Sequence, residues 1–395
     1  MSPPLLPLDQ VQSRLLALAT PVEAVRCSLA EASGRWAAAD LIARRTQPSS
    51  DLSAMDGYAI RFADLPGPWR VVGESAAGRR YSGEIGAGEA VRIFTGAAMP
   101  EGSDTVLVQE EAARDGDRLA LAGEGPGALG RNVRRRGLDF AEGEVLIRAG
   151  ERLTPPRLAL AAIAGHGALI VRRRVRVAIA ATGDELVPPG GPIGDAELPE
   201  TNRLMLAAQL AGLPIELIDL GILPDRAEVL EAAFRDVRCD VLVTTGGASV
   251  GDHDLVRPAL IAAGATLDFW RIALRPGKPM LAGKLGDAVV LGLPGNPVSA
   301  FVTTLLFVRP LVAHLAGAAD PFPLPRRVPL ADALPANGPR TDYLRAALIG
   351  GAASPAAIQD SSMLRTLARA ECLIVREPGA EAAKAGDSAE ILDLA

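Results

Sequence analysis

Apolar residues recur at helical spacing near the start of the chain, with Val11, Leu15, Leu16 and Leu18 on or near one stripe and a second apolar-periodic stretch at 25–41. This predicts a helical opening segment over 8–43. From 47 to 139 the pattern switches to short alternating runs (69–72, 90–94, 105–108) separated by Gly, Pro and Asp clusters, the signature of a small β-rich domain. Residues 153–169 return to helical spacing, with Pro155 and Pro156 in the first turn, where a missing N–H costs little. The β-rich unit therefore reads as an insertion between two pieces of one helical linker domain. From 175 onward predicted strands and helices alternate: strand 175–181, helix 202–211, strand 215–220, helix 226–234, strand 241–245, helix 254–263, strand 288–291, helix 297–315. That order predicts an α/β domain with a mainly parallel sheet. Pro321, Pro323, Pro325 and Pro329 then mark a linker into a short β-rich tail. The expected organisation is a discontinuous helical linker domain (1–46 and 140–173), an inserted β-rich domain (47–139), an α/β domain (174–319) and a C-terminal β-rich domain (320–395).

The chemistry concentrates where glycine-rich turns adjoin β-branched runs. Three such turns are Thr244 to Asp252, Pro276-Gly277-Lys278-Pro279 and Gly292-Leu293-Pro294-Gly295-Asn296-Pro297; Thr182-Gly183-Asp184-Glu185-Leu186 also follows a predicted strand. Glycine removes the Cβ that would hold an anion away, and consecutive N–H groups in such turns form a positively polarised nest. In a parallel sheet these turns converge beyond the carboxyl ends of the strands, where ligands bind. Asp252 and Asp254 suit a hard cation, and Arg275 and Lys278 an anion. Both signs of charge beside Gly loops point to phosphoryl or oxyanion chemistry rather than hydride transfer.

Composition sets the outer bounds. A chain of 395 residues is too long for one core, and 49% hydrophobic against 22% charged residues gives an ordered multidomain protein. A net charge of −6 argues against a general nucleic-acid surface. The three cysteines, Cys27, Cys239 and Cys372, match no metal-ligand spacing and fit a reducing cytoplasm, and the N-terminus lacks a secretion pattern. The most membrane-like stretch, 298–315, carries Ser299, Thr303, Thr304, Arg309, Pro310 and His314 and reads as a buried helix, so no membrane association is expected.

The Ser53-Ala54-Met55-Asp56-Gly57-Tyr58-Ala59 segment, Thr182 to Leu186, Gly246 to Asp254, Pro276 to Pro279 and Gly292 to Ser299 occur in an order and at spacings that resemble the molybdopterin molybdenumtransferase (MoeA) family, which includes the gephyrin E domain. The resemblance covers nearly the whole chain. It implies an enzyme that inserts molybdate into adenylylated molybdopterin with loss of AMP, aided by Mg²⁺ or another divalent cation, in an elongated homodimer whose cleft lies between the α/β domain of one subunit and parts of the other. It also implies an upstream adenylyltransferase as partner.

By the resemblance, Asp254 belongs to the nucleotide and cation site with Glu200 beside it, and Asp184 is a further cation candidate; Gly246, Gly247, Ser249 and Gly251 cradle the nucleotide, and Gly295 and Asn296 belong with them. For Asp254 the alternative from residues alone is a helix N-cap, and for Asp184 a strand-end turn. Lys278, framed by prolines, and Arg275 line the molybdate pocket with Pro279 and Ser299; the family's usual residue at 275 is lysine, and arginine brings a planar fork of donors. Arg340 and one of Ser361 and Ser362 reach the same pocket from the tail. Asp56 faces the partner's cleft, with Thr95 and Asp139 at further family positions, although the acidic residue the family carries where Leu138 stands is missing. Arg134, Arg135 and Arg136 either meet the pterin phosphate or form a solvated run. Two other functions share these motifs: the adenylyltransferase, which needs only the α/β unit, and a non-catalytic scaffold, against which Asp254, Lys278 and Glu200 speak.

Overall fold

The runs at 175–182 and 241–245 are almost wholly apolar, the composition of strands covered on both faces. In the computed structural model, which describes residues 5–246 and 255–394, they lie near the middle of a six-stranded sheet. Its spatial order is Ile215–Leu223, Val175–Thr182, Val241–Thr245, Ala288–Leu293, Pro279–Leu285, Thr266–Arg271. The first four strands are mutually parallel, and Pro279–Leu285 pairs antiparallel with both neighbours, so the sheet is mixed around one reversed strand.

Side chains alternate across this sheet with period two. Val177, Ile179, Val241, Val243, Val289 and Leu291 point into one core, shared with the helices Asn202–Leu210 and Pro297–Leu315, whereas Ala178, Leu242 and Val290 point into a second core under Ala227–Asp236 and Val256–Ala262. The opening helix, Leu8–Ala17, joins the first core through Val11 and Leu15, so it packs on the α/β domain. The helix Pro297–Leu315 is long and apolar enough to cross a membrane by length and composition, and 78% of that window is buried inside the protein.

Two predicted helices are corrected. The stretch at 25–41 contains the strand Ala24–Ser28, which pairs antiparallel with Ala168–Arg172, and the strand Leu41–Ile42, which pairs with Val145–Ile147. The half-buried positions in Ala24–Ser28 are Val25 and Cys27, two residues apart, which is strand spacing. The helix expected to reach 169 stops at Ile163, because Gly165 takes a positive φ of 96° that ends the helix before the strand Ala168–Arg172.

The insertion is a six-stranded sheet over Tyr58, Ile60, Trp69, Val71, Leu107 and Leu119. It joins the linker through paired strands, Leu52–Ser53 against Val133–Arg134, and a bridge between Gln47 and Phe140. The tail sheet runs Leu274–Arg275, Thr341–Ile349, Cys372–Arg376, Ser388–Asp393, Arg326–Pro329. Its first strand belongs in sequence to the α/β domain and pairs parallel with Thr341–Ile349, which ties the two domains together.

Candidate functional site

The parallel strands end at Thr182, Thr245 and Leu293, and their following turns meet. Gly246 has a φ of 89°, and a Cβ there would sit 2.5 Å from the Thr182 carbonyl oxygen. A Cβ at Gly295 would face the Gly246 Cα at 3.8 Å. Asn202, opening the helix Asn202–Leu210, donates from Nδ2 to the Gly295 carbonyl at 2.7 Å. Its Oδ1 is buried with no hydrogen-bond partner among the described residues, which leaves an acceptor beside two turns whose backbone is bare of side chains. Asn296 stands at the N-cap position of the following helix without a side-chain cap bond among the described residues, and Pro297 is its first residue. Gly247, Ser249, Gly251 and Asp254 lie outside the described residues.

Against that helix sits the turn carrying Lys278. Gly277 has a φ of 111°, and a Cβ on it would lie 2.7 Å from Thr303 Cγ2, so the turn is pressed against the helix one turn beyond Ser299. The Lys278 carbonyl accepts from the Ile272 N–H at 2.9 Å, and Pro279 begins the reversed strand. The half-buried Lys278 ammonium has no ion pair or hydrogen bond among the described residues. Ser299 is 5% exposed; its carbonyl accepts from the Thr303 hydroxyl at 2.7 Å.

The tail reaches this place at two points. The Thr341 N–H donates to the Ala273 carbonyl at 2.8 Å, which brings Arg340 beside the segment leading to Lys278; the Arg340 guanidinium is unpaired among the described residues. The Val298 N–H donates to the Ser361 carbonyl at 3.1 Å, seating the Ser361 loop on the helix that carries Ser299. The Ser362 hydroxyl donates to Asp360 Oδ1 at 2.5 Å, whereas the Ser361 hydroxyl has no partner among the described residues. Arg275, expected to line the molybdate pocket, pairs through its guanidinium with Asp342, a carboxylate 3% exposed that needs a cation.

The acidic candidates divide. Asp184 is exposed, and its Oδ1 accepts from the Asp225 N–H at 3.0 Å. Burial, together with the charges of Asp184 and Glu185, raises the Asp225 carboxyl above its ordinary value. Glu200, expected as a metal ligand, is 2% exposed and committed to the helix it precedes: Oε1 accepts from the Arg203 N–H at 2.8 Å and Oε2 lies 3.5 Å from Arg203 Nε. The guanidinium stands where a cation would contact that oxygen. Among the described residues no three His, Cys, Asp or Glu side chains come together to hold a metal ion.

In the insertion, Asp56 Oδ1 accepts from the Thr95 N–H at 2.7 Å and the Thr95 hydroxyl at 2.8 Å. These bonds, with Arg92 nearby, hold the Asp56 carboxyl below its ordinary value. Asp139 is exposed and donates its N–H to the Gln47 carbonyl at 3.0 Å, at the neck of the insertion and apart from Asp56. Of the arginine run, Arg135 pairs with Asp51 at 2.7 Å and Arg136 donates its N–H to the same carboxylate, which fixes two members structurally. Among the described residues no hydrogen bond or ion pair joins 47–139 to the α/β domain. Sequence reasoning missed Asn202, Thr303 and Asp342. Asn202 was readable as a polar residue opening a predicted helix; the other two act through contacts between segments that nothing local announces.

Three family models match the chain in succession: the MoeA N-terminal region (domain I and II) over residues 6–165, a probable molybdopterin binding domain over 178–314, and the MoeA C-terminal region (domain IV) over 327–394. The molybdopterin molybdenumtransferase of Haemophilus influenzae is 41% identical over 79% of this chain and 78% of its own length. That of Staphylococcus aureus is 28% identical over 98% and 95%. The crystal structure of a molybdopterin biosynthesis MoeA protein from Pyrococcus horikoshii superposes with a TM-score of 0.84 at 27% identity, covering 99% of this chain and 100% of that one.

Proposed function

The chain belongs to the molybdopterin molybdenumtransferase (MoeA) family, and on that premise we propose which of its residues carry out the transfer of molybdenum. The substrates are adenylylated molybdopterin and molybdate, and the products are molybdenum cofactor and AMP. The observation that supports the reading is that two backbone bonds, Thr341 N–H to the Ala273 carbonyl and Val298 N–H to the Ser361 carbonyl, tie the segments of Arg340 and Ser361 to those leading to Lys278 and carrying Ser299, with Lys278 and Arg340 uncommitted cations among the described residues. A compact tetrahedral dianion needs convergent donors and fixed positive charge, and this junction offers both. Ser361 is the serine that contacts molybdate, since Ser362 has spent its hydroxyl on Asp360. Arg275, held by Asp342, shapes the wall from the side.

Gly246, where a Cβ would crowd the Thr182 carbonyl, and Gly295, which faces it, receive the nucleotide end with Gly247, Ser249 and Gly251, and the open Asn202 acceptor faces a donor of that substrate. Mg²⁺ fits the acidic rim as an ion that takes one or two carboxylates and completes its shell with substrate phosphates. The Asp225 carboxyl, raised by burial and then by the charges of Asp184 and Glu185, marks a place where a cation relieves repulsion. Asp184 and Asp254 are its holders, and Glu200 fixes Arg203 at the helix start. When bound, the cation supplies positive charge to the phosphate that leaves as AMP.

The active form is a homodimer. Asp56 and Thr95 make a pre-oriented carboxylate that, among the described residues, no hydrogen bond or ion pair links to the α/β site of the same chain, and a symmetric partner would bring that turn to the neighbouring cleft. The upstream adenylyltransferase is a partner in substrate delivery. Cys27, Cys239 and Cys372 are free thiols, which supports a cytoplasmic location. The test is incubation of purified protein with adenylylated molybdopterin, molybdate and Mg²⁺: AMP release dependent on both molybdate and Mg²⁺ is expected, and release unaffected by omitting molybdate would overturn the reading.

A further inference from the structure

One guanidinium gathers the segments around Asp56. Arg92 lies on the strand Glu89–Ile93, opposite Tyr58 of the antiparallel strand Gly57–Ile60. Its Nη1 donates to the Gly57 carbonyl at 3.0 Å and its Nη2 to Gln109 Oε1 at 2.8 Å. Gln109 in turn donates its N–H to the Asp56 carbonyl at 3.1 Å. The guanidinium carbon stands 5.2 Å from the centre of the Tyr58 ring and 4.7 Å from that of Phe94, so two aromatic rings hold the fork in place. Arg92 makes no ion pair among the described residues, and its two bonded donors both end on groups tied to the Asp56 turn. That turn has little slack, since a Cβ at Gly57 would overlap the Leu107 carbonyl oxygen. Both bonds from Thr95 go to Asp56 Oδ1, and Oδ2 has no hydrogen-bond partner among the described residues.

We propose that Arg92 is a positioning residue for Asp56: it ties the 56–57, 92–95 and 109 segments together so that the free Asp56 oxygen keeps one fixed aim. This rests on the reading that Asp56 serves the transfer in the neighbouring cleft. Arg92 and Thr95 belong to one short segment, so the bond from Arg92 to Gly57 sets the spacing between the Thr95 donors and the carboxylate they hold. A role confined to strand packing accounts for the stacking on Tyr58 and Phe94. It does not account for two donors of one side chain meeting the Asp56 turn, one directly at Gly57 and the other through Gln109. The charge of Arg92 is available to Asp56, because Glu74, the neighbour of Arg92 on the parallel strand Trp69–Ser75, is met by Arg79 at 2.6 Å. A group that must act at a neighbour's site gains most from being held in advance, since it has few contacts of its own there.

The experiment compares Arg92→Met, Arg92→Lys, Asp56→Ala and the double variant Arg92→Met with Asp56→Ala in the full-length protein, by melting temperature, kcat of AMP release, molybdate titration and direct binding of adenylylated molybdopterin. Arg92→Met is expected to lower kcat about tenfold while the half-saturating molybdate concentration and pterin nucleotide binding change less than about twofold. Arg92→Lys, which keeps the charge and one of the two bonds, should recover part of kcat. In the double variant Arg92→Met should add less than about twofold to the loss from Asp56→Ala, because a group that acts through Asp56 has nothing left to position. If Asp56→Ala lowers kcat while a folded Arg92→Met leaves it unchanged, or if Arg92→Met adds its full factor in the double variant, the positioning role is wrong and the reading of Asp56 stands. If Asp56→Ala leaves kcat unchanged, that reading fails and this inference with it. Should Arg92→Met not fold, Gln109→Leu releases one arm of the same fork and must lower kcat about threefold with the same unchanged binding; an unaltered kcat there overturns the proposal.

Discussion

Gly277→Ala tests whether the Lys278 turn is held by contact with the Ser299 helix. The φ of 111° at Gly277 is a conformation L residues rarely adopt, which costs about 1 to 3 kcal/mol. The new Cβ would also stand 2.7 Å from Thr303 Cγ2, closer than van der Waals contact allows, so either the turn or the helix must move by several tenths of an ångström. Together these lower stability by about 2 to 4 kcal/mol, a fall of roughly 2 to 5 °C in Tm for a chain of this size. Because Lys278 is the next residue, the shift displaces its ammonium, and the half-saturating molybdate concentration should rise by roughly tenfold or more. Thr303→Ser removes only the clashing methyl and keeps the hydroxyl that donates to the Ser299 and Ala300 carbonyls. Added to Gly277→Ala it should restore about 1 kcal/mol and part of the molybdate affinity, leaving the φ penalty in place. Scanning calorimetry and a molybdate titration of the four proteins close the cycle. Strictly additive effects of the two substitutions would show that the methyl contact does not hold the turn.

Lys278→Ala should raise the molybdate requirement by roughly tenfold to a hundredfold while direct binding of the pterin nucleotide changes little; weakened pterin binding with an unchanged molybdate titration would make Lys278 a phosphate ligand instead. Mixing inactive Asp56→Ala subunits with inactive Asp254→Ala subunits should recover part of the AMP release, because one cleft of the mixed dimer is intact, and no recovery despite proven subunit exchange would count against a shared site. The raised Asp225 carboxyl makes a pH prediction. The folded state favours its protonated form, so this group's contribution to stability is full below the ordinary carboxylate range and is lost as pH rises through the folded value. Asp225→Asn should therefore melt higher than wild type near neutral pH, with the difference vanishing by about pH 4, and Mg²⁺ should narrow the neutral-pH gap; equal melting curves at every pH would refute the crowding.

The α/β domain was legible because its strands are apolar runs bounded by Gly turns, and the turns at Gly246 and Gly295 do meet. The reversed strand Pro279–Leu285 and its neighbour Thr266–Arg271 were not, since alternating β and helical runs carry no sign of strand direction. The linker misled for a different reason: Val25, Leu29 and Ala32 fit a helical stripe as readily as they fit a strand followed by turns, and only pairing with Ala168–Arg172, far away in sequence, decides between them. At the site, Lys278 and Ser299 could be named from local framing. The commitment of Arg275 to Asp342 and of Glu200 to Arg203 depends on burial, which residue type alone does not encode.

The neck of the insertion carries a practical consequence. Gln47 and Phe140 are bridged partners, and the Gln47 N–H donates to the Phe140 carbonyl at 2.9 Å, so the chain leaves the linker and re-enters it at the same spot. A short glycine link from Gln47 to Phe140 would therefore excise 48–139 without stretching the backbone, because the gap it spans is one strand spacing wide. The shortened protein would keep its α/β domain and tail while losing whatever the excised module supplies, and the module could be grown, swapped for that of a relative or fused to a reporter at the same two residues. The molecule is in this sense a cassette with a single socket.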